Sequence, residues 1–261
     1  MKLLAIIIAF GFFHWLGKPK ALQAFGWWKK ILNYGQNQKW FKPEWLKSLL
    51  LLIVVTLIVS LLAWILKRQH DHELWYLIFN SVILYYCLGP EQLEIDARHI
   101  QSTEEDDSME WVVNELTNEA LHRWFAVIFW FVLLGAGGAV LYRLFDQMLK
   151  HLAPPSDSIL NRLYNLLSYP VIWLMVLSLL VASDFDRIWR HCKRYLKQKN
   201  WYQQQLPLLY EAMDFAVENC EIDDYKSDDI LTIRNTTLSV LKRMLMVWLV
   251  LVAFIVILTI G

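Results

Sequence analysis

One apolar run, Leu46 to Leu66, constrains this chain more than any other feature of its sequence. A helix needs about 20 residues to cross a hydrocarbon core about 30 Å thick, and this run is long enough to do so. Its single charge, Lys47, lies near the start, and Trp45 and Trp64 mark its ends as interfacial aromatic residues do. Because lipid offers the backbone no hydrogen-bond partner, the run predicts a transmembrane helix.

Further apolar segments extend this pattern along the chain. Hydrophobic residues make up 57% of the sequence and charged residues 19%, below the roughly 25% of a soluble domain. No small-residue cleavage site follows 3–17, which favours an uncleaved helix over a signal peptide. The predicted spans are 46–66, 74–88, 124–142, 163–183 and 244–260, with 3–17 as a short span or a re-entrant segment. We therefore predict an all-α, polytopic membrane protein with about five to six transmembrane helices, in which residues 1–261 form a single membrane domain.

The distribution of positive charge predicts an orientation. Residues 18–47 carry seven lysines and one acid, so the positive-inside rule places this loop in the cytoplasm. The basic stretch 187–199 agrees with that assignment, whereas Arg143, Lys150 and Arg162 oppose it. Alternation of the spans gives three cytoplasmic segments, 18–45, 89–123 and 184–243. It places 67–73, 143–162 and the C-terminus outside.

Amphipathic helices are predicted within the cytoplasmic segments. Basic residues in 187–199 are interleaved with Ile188 and Trp189, a pattern that fits a helix lying on anionic lipid headgroups. Residues 208–219 place small and aliphatic side chains on one face, which packing against other helices explains without any ligand. The lipid bilayer is therefore the one partner that the residues themselves predict.

Three charged residues lie where the segment 89–123 meets the third span. Glu115, Glu119 and Arg123 follow one another at intervals of four, so they share one face of a helix. Two carboxylates at this spacing repel each other by a few tenths of a kcal/mol. They are either well solvated, or bind a cation or a ligand, or act as a general acid and base. Glu115 and Glu119 are accordingly weak candidates for metal ligands.

Glycines interrupt the third predicted span. Gly135, Gly137 and Gly138 lie inside an otherwise aromatic and aliphatic run. Small residues four apart, such as Gly135 and Ala139, let helix backbones approach closely. The alternative is a break in the helix that lines a cavity.

Other classes of protein are excluded by composition. The formal net charge is zero and no basic repeat occurs, so no nucleic-acid partner is expected. The three cysteines, Cys87, Cys192 and Cys220, are too few and too scattered for a disulfide framework, and we interpret them as reduced thiols. The predicted spans contain almost no charge, which argues against a proton-coupled transporter.

Three stretches resemble the AmpE family. They are residues 84–90, residues 120–146 with their glycine-rich centre followed by Leu-Tyr-Arg, and the C-terminal helix with Val247-Trp248-Leu249 and Leu258-Thr259. The resemblance implies a multi-pass protein of the bacterial inner membrane with its long loops in the cytoplasm. It further implies a regulator or sensor that modulates β-lactamase induction and the cell-wall-damage response. Its partner would be a protein or a small cell-wall-derived signal.

The AmpE family is similar in turn to the membrane amide synthases of cobalamin biosynthesis (CobD/CbiB). This second similarity implies the alternative function, an ATP-dependent amide ligase using Mg²⁺ and a nucleotide. The synthases carry the motif Glu-Ser-Leu-Ala-Glu-Asn, followed by Ser-Asp-Gly, just before the third span. Residues 114–123 retain the two acids in kind, but they lack the Asn that follows the second acid and the Ser-Asp-Gly. No catalytic residue is therefore assigned, and enzyme activity stays uncertain. The implied small-molecule or nucleotide site on the cytoplasmic side comprises Glu115, Glu119, Arg123, Gly135, Gly137, Gly138, Arg143 and Asp146.

Overall fold

The structure is a computed structural model, and it contains helices but no strand in the part of the chain that it describes. This confirms the all-α prediction. The described residues are 2–15, 25–37, 44–68, 73–88, 109–155, 158–183, 185–196, 205–220 and 230–260.

Eleven α-helices are present in these ranges. They are α1 (Lys2–Trp15), α2 (Gly26–Asn37), α3 (Glu44–Arg68), α4 (Glu73–Leu88), α5 (Met109–Ala120), α6 (Ala126–Leu134), α7 (Ala136–Leu152), α8 (Ile159–Ala182), α9 (Phe185–Leu196), α10 (Gln205–Cys220) and α11 (Ile230–Ile260). A π-helical turn, Leu121–Phe125, connects α5 to α6.

Among the described residues, three helices are long and apolar enough to cross a membrane. These stretches are Trp45–Arg68 in α3, Ile159–Ala182 in α8 and Thr232–Phe254 in α11. α4 is apolar but has only 16 residues, so its length of about 24 Å falls short of a hydrocarbon core of about 30 Å. The structure thus supports the membrane character of the chain, while the number of spans stays a prediction.

The chain divides into two compact units. The first comprises Met1–Pro90 and His122–Ser168, and the second comprises Glu91–Leu121 and Tyr169–Gly261. The first unit therefore contains α1 to α4, α6, α7 and the start of α8. The second contains α5, the remainder of α8, and α9 to α11.

Helix α7 forms the core of the first unit. It packs against α2, α3, α4 and α6, and its side chains are buried on nearly all sides. The fully buried Trp28 donates its indole N–H to the carbonyl oxygen of Leu144 at 3.1 Å. His151 Nε2 lies 2.8 Å from Asn33 Oδ1.

These two contacts bear on the predicted orientation. Alternation of the predicted spans places α2 in the cytoplasm and 143–162 outside. In the structure α2 contacts α7, through Trp28 at Leu144 in the middle of α7 and through Asn33 at His151 in its last turn. The orientation of these segments stays a prediction.

The backbone breaks inside 124–142 at Gly135. This residue ends α6 and begins α7 with φ 73° and ψ −155°, a combination that is essentially restricted to glycine. Its N–H donates to the carbonyl oxygen of Phe131 at 2.7 Å, and its own carbonyl accepts from the N–H of Gly138 at 3.0 Å. Gly135 thus pairs with one carbonyl near the end of α6 and with N–H groups at the start of α7 while the chain changes direction.

The change of direction is a reversal. A Cβ atom added to Gly138 would overlap the backbone carbonyl of Trp130. Residues eight apart in a straight helix are separated by about 12 Å, so this contact requires α6 and α7 to fold back on each other. α6 has nine residues and a length of about 13 Å, less than half of a hydrocarbon core. The segment 124–142, which the sequence predicts as one span, is therefore a helical hairpin. This agrees with the alternative stated above, a break in the helix at the glycines.

In the second unit, α5 packs against α10 and α11. The buried side chains include Val112 and Leu116 from α5, Leu209 and Met213 from α10, and Leu241 from α11. The two residues from α5, and likewise the two from α10, are four positions apart, so each pair lies on one face of its helix. This core leaves the acidic residues of α5 and α10 on the remaining faces.

Candidate functional site

A buried carboxylate, Asp146, is the centre of the candidate site. Its side chain is nearly inaccessible, since the residue is only 2% exposed. Tyr164 of α8 donates its hydroxyl to Asp146 Oδ1 at 2.9 Å. On Oδ2, Arg143 Nη1 donates at 3.3 Å, and Lys150 Nζ lies 3.4 Å away. The spacing of three and four along α7 places both cations on the same face as the aspartate.

Tyr164, which donates to this carboxylate, belongs to a stack of three aromatic rings. The rings of His122, Tyr142 and Tyr164 stack with centroids between 5.0 and 6.3 Å apart. The Tyr142 hydroxyl lies 2.7 Å from His122 Nδ1 and 2.9 Å from Ser168 Oγ. We refer to these residues together as the Asp146 cluster: His122, Tyr142, Arg143, Asp146, Lys150, Tyr164 and Ser168.

The electrostatic surroundings keep Asp146 ionised. Burial raises the pKa of this carboxyl, but the charges of Lys150 and then Arg143, with His122 and the Tyr164 hydrogen bond, outweigh burial. The net result is a pKa below the ordinary value for aspartate. At neutral pH one carboxylate therefore faces two cations, and the cluster carries an excess of positive charge.

Arg143 has donor capacity that Asp146 does not use. Its side chain is 5% exposed, and its guanidinium lies 5.5 Å from the centre of the Phe25 ring. Its Nε is buried, and no hydrogen-bond acceptor reaches it among the described residues. An unsatisfied buried donor costs about 1–3 kcal/mol, so an acceptor that reached this nitrogen would be favoured.

The structure brings together only part of the site that the sequence predicts. Arg143 and Asp146 form an ion pair in the first unit. Arg123 belongs to the same unit but lies in the π-helical turn. Glu115 and Glu119 belong to the second unit. Neither unit by itself therefore contains the complete set of charged residues that the resemblance implies.

The three glycines have two different roles. Gly137 lies against Ser60 of α3, and Gly138 lies against the backbone of Trp130, so both permit close packing. A Cβ atom added to Gly135 would meet nothing within 4 Å. The expectation that Gly135 acts as a packing surface is therefore corrected: its positive φ makes it the turn of the hairpin.

Acidic side chains of the second unit act on Asp214 of α10. Burial, then the charges of Glu110, Glu218 and Glu211, raises the pKa of Asp214 to about 7. In the described part of the chain, no three His, Cys, Asp or Glu side chains are grouped closely enough to hold a metal. The structure thus gives no support to a metal site at Glu115 and Glu119.

Sequence reasoning missed most of the Asp146 cluster. Tyr142 and Lys150 lie four residues before and after Asp146, so a search for polar residues at helical spacing would have found them. Tyr164 and Ser168 are also four apart, in an apolar segment where polar side chains usually have partners. His122 carried no such signal, because it follows a different helix and its contact with Tyr142 is tertiary.

Comparison with known proteins does not identify the chain. No family model, no curated protein and no solved structure matches it. The resemblance to the AmpE family accordingly stays a prediction from the three stretches that carry it.

Proposed function

We propose that this chain is a multi-pass regulatory protein of the bacterial inner membrane that modulates β-lactamase induction and the cell-wall-damage response. In this proposal the Asp146 cluster is the element that responds to the signal. The observation that carries the proposal is the ionised Asp146, nearly inaccessible and held by Arg143, Lys150 and Tyr164 in a chain whose long helices are apolar. The resemblance of residues 120–146 to the AmpE family supplies the biological setting.

Stability alone is a weak reason for such a cluster. Replacing a buried ion pair by apolar side chains of similar volume is often neutral or stabilising, because both charges lose their hydration on burial. Ionisable residues among membrane helices are expensive and are usually functional for that reason. Asp146 and Arg143 are therefore better explained by a role in the response than by a contribution to folding.

The signal that fits this cluster is a small anion. Two cations face one carboxylate, and the buried Arg143 Nε has no acceptor among the described residues. A carboxylate or phosphate group that reached Arg143 or Lys150 would compete with Asp146 for them. Such a group would stabilise an arrangement of the cluster in which Arg143 or Lys150 is released from Asp146. It would thereby shift the population from the paired arrangement to the released one. Cell-wall fragments carry carboxylates and nucleotides carry phosphates.

The proposed orientation places this side of the first unit in the cytoplasm. The seven lysines of 18–47 support that assignment through the positive-inside rule. Since α2 contacts α7, the same side carries Lys150, which alternation of the spans had assigned to the outside. With the hairpin counted as re-entrant, Arg143 and Lys150 no longer oppose the charge rule.

The test replaces Asp146 by asparagine in cells that lack their own copy of the protein. Asp146→Asn keeps the size and an acceptor oxygen but removes the charge, so we expect most of the β-lactam-dependent increase in β-lactamase activity to disappear. Arg162→Gln, at an exposed position of α8, is the matched control and should respond normally. The membrane level of each variant is measured by immunoblot, and its response is expressed per amount of inserted protein.

Three outcomes would contradict or redirect the proposal. A normal response by Asp146→Asn at normal level would remove the cluster from signalling. A lost response in the double variant Glu115→Gln and Glu119→Gln, with Asp146→Asn normal, would move the site to α5. Turnover of ATP by the purified protein with Mg²⁺ would favour the amide-ligase alternative instead.

A further inference from the structure

A second polar site lies on α11 and uses none of the residues of the Asp146 cluster. An open cavity of about 570 Å³ follows one face of this helix. Its lining residues are Arg234, Asn235, Leu238, Ser239, Lys242, Arg243 and Met246. They recur at intervals of one, three, one, three, one and three, which keeps them on one side of the helix over about 18 Å. We call this surface the α11 groove.

The α11 groove is positively charged. Arg234, Lys242 and Arg243 contribute three cations, and none of the described residues that line the cavity is a carboxylate. Lys242 and Arg243 are exposed, and Arg234 Nη2 lies 3.4 Å from Asn235 Oδ1. Asn235 and Ser239 add neutral hydrogen-bonding groups between the cations. Three cations with interleaved donors are suited to a phosphate group, whose oxygens accept from several sides.

An apolar track continues from the end of the groove that contains Lys242 and Arg243. Met246, Val250 and Phe254 are 66%, 64% and 65% exposed, and they follow one another at intervals of four. They therefore lie along one side of α11 and extend from the Met246 end of the groove. The stretch Thr232–Phe254 of this helix is apolar enough to cross a membrane. All three cations precede residue 244, where the predicted span 244–260 begins.

We propose that the α11 groove binds the phosphate headgroup of an anionic phospholipid, with an acyl chain along Met246, Val250 and Phe254. Cations close to an apolar helix attract anionic headgroups, and each contributes to binding through its charge. A free phosphate compound would use the cations but would leave the apolar track without a role. The assignment does not depend on the Asp146 cluster, which lies in the first unit.

The sequence provides a matched control for the charges. The run Leu241-Lys242-Arg243, whose two cations line the groove, has the same three residue types, in the same order, as Leu66-Lys67-Arg68 at the end of α3. Both pairs of cations are exposed and both belong to helices that are apolar enough to cross a membrane. Only the first pair lines the α11 groove.

The experiment measures lipid binding by the full chain, purified in a neutral detergent and depleted of lipid. Phosphatidylglycerol or phosphatidylcholine is titrated in, and bound lipid is counted by native mass spectrometry. We expect Lys242→Gln with Arg243→Gln to weaken phosphatidylglycerol binding about 30-fold, from the loss of two charges. Lys67→Gln with Arg68→Gln should stay within about threefold of the wild type, and phosphatidylcholine binding should be weak throughout. Equal loss in both double variants, or loss in neither, would overturn the site.

Two further measurements complete the experiment. The first tests whether binding depends on the charges, and the second tests whether the ligand is a lipid or a free phosphate compound. The swap Lys242→Arg with Arg243→Lys keeps both charges and should retain binding, whereas its failure would overturn the charge-based assignment. Inorganic phosphate and glycerol 3-phosphate at millimolar concentration should not displace the lipid. Displacement by either at a concentration near that of the lipid would show that the groove takes a free phosphate compound, and would overturn the lipid assignment.

Discussion

Two aspartates, one in each unit, show how the same residue type responds to opposite surroundings. Asp146 on α7 is buried among Arg143, Lys150 and a tyrosine hydroxyl, and its pKa is lowered despite burial. Asp214 on α10 is half-buried among carboxylates, and its pKa is raised to about 7. In each case burial by itself raises the pKa. The sign of the neighbouring charges decides the outcome.

The two surroundings have different consequences for the molecule. Asp146 is ionised over the whole physiological range, so its interactions with Arg143 and Lys150 persist at any pH near neutrality. Asp214 gains and loses its proton close to pH 7, and one of its oxygens, Oδ1, is buried with no hydrogen-bond partner among the described residues. The first aspartate is thus a constant charge and the second a titrating one.

The largest expected effect is the loss of the Asp146 carboxylate. Asp146→Ala leaves Arg143 buried without its counter-ion, so the protein should lose about 3–5 kcal/mol of unfolding free energy. Denaturant unfolding of the purified protein in detergent would measure this loss. Asp186→Ala, at an exposed aspartate of α9, is the control and should cost less than about 0.5 kcal/mol. Equal stability of the two variants would show that Asp146 is not paired as described.

A smaller loss is expected when one cation of the pair is removed. Arg143→Gln deletes a charged hydrogen bond but leaves Tyr164 and Lys150 on Asp146, so the expected cost is about 2 kcal/mol. Lys150 is 47% exposed at its side chain, and Lys150→Gln should cost less than about 1 kcal/mol. A larger cost for Lys150→Gln than for Arg143→Gln would reverse the assigned importance of the two cations.

The pH dependence of stability should reveal Asp214. Its folded pKa of about 7 lies above the ordinary value of 3.8, so the folded state binds more protons between these values. Its contribution is therefore fully present below about pH 4 and is lost as the pH rises through about 7. Asp214→Asn should remove this decline and raise stability at pH 8 by about 1 kcal/mol, after discounting for its half-exposed position. Thermal unfolding at pH 5 and pH 8 tests this, and a decline that persists in the variant would assign it to another group.

The smallest expected effect concerns the neighbours of Asp214. Glu110 is the strongest of the charges that raise its pKa, so Glu110→Gln should move the inflection of the stability curve to lower pH by less than about one unit. Glu115 is on the same helix, where its charge, after burial, raises the pKa of Tyr210. Glu115→Gln is therefore the control and should leave the inflection in place. An equal shift in both variants would mean that the general acidity of α5 sets the pKa.

Hydropathy alone located the long apolar helices. The predicted span 46–66 lies inside α3, and 163–183 overlaps nearly all of α8, because an apolar run of this length is both lipid-compatible and helical. The predicted span 244–260 covers only the C-terminal part of α11, because this helix already begins at Ile230. Charged residues such as Lys242 end an apolar window without ending a helix, since lysine and arginine are good helix formers.

Two features of the first unit were decided by tertiary structure. Gly135 is one of three nearby glycines in the sequence, and nothing in its neighbours shows that it, rather than Gly137 or Gly138, adopts a positive φ and reverses the chain. That choice depends on α7 packing against α3 and on Gly138 fitting against Trp130. Likewise, the sequence placed Arg143 and Asp146 three residues apart on one helix, which is a local relation. The contacts of Asp146 with Tyr164, and of Tyr142 with His122 and Ser168, join residues 18 to 26 positions apart, and only the folded arrangement of the helices brings such groups into hydrogen-bonding range.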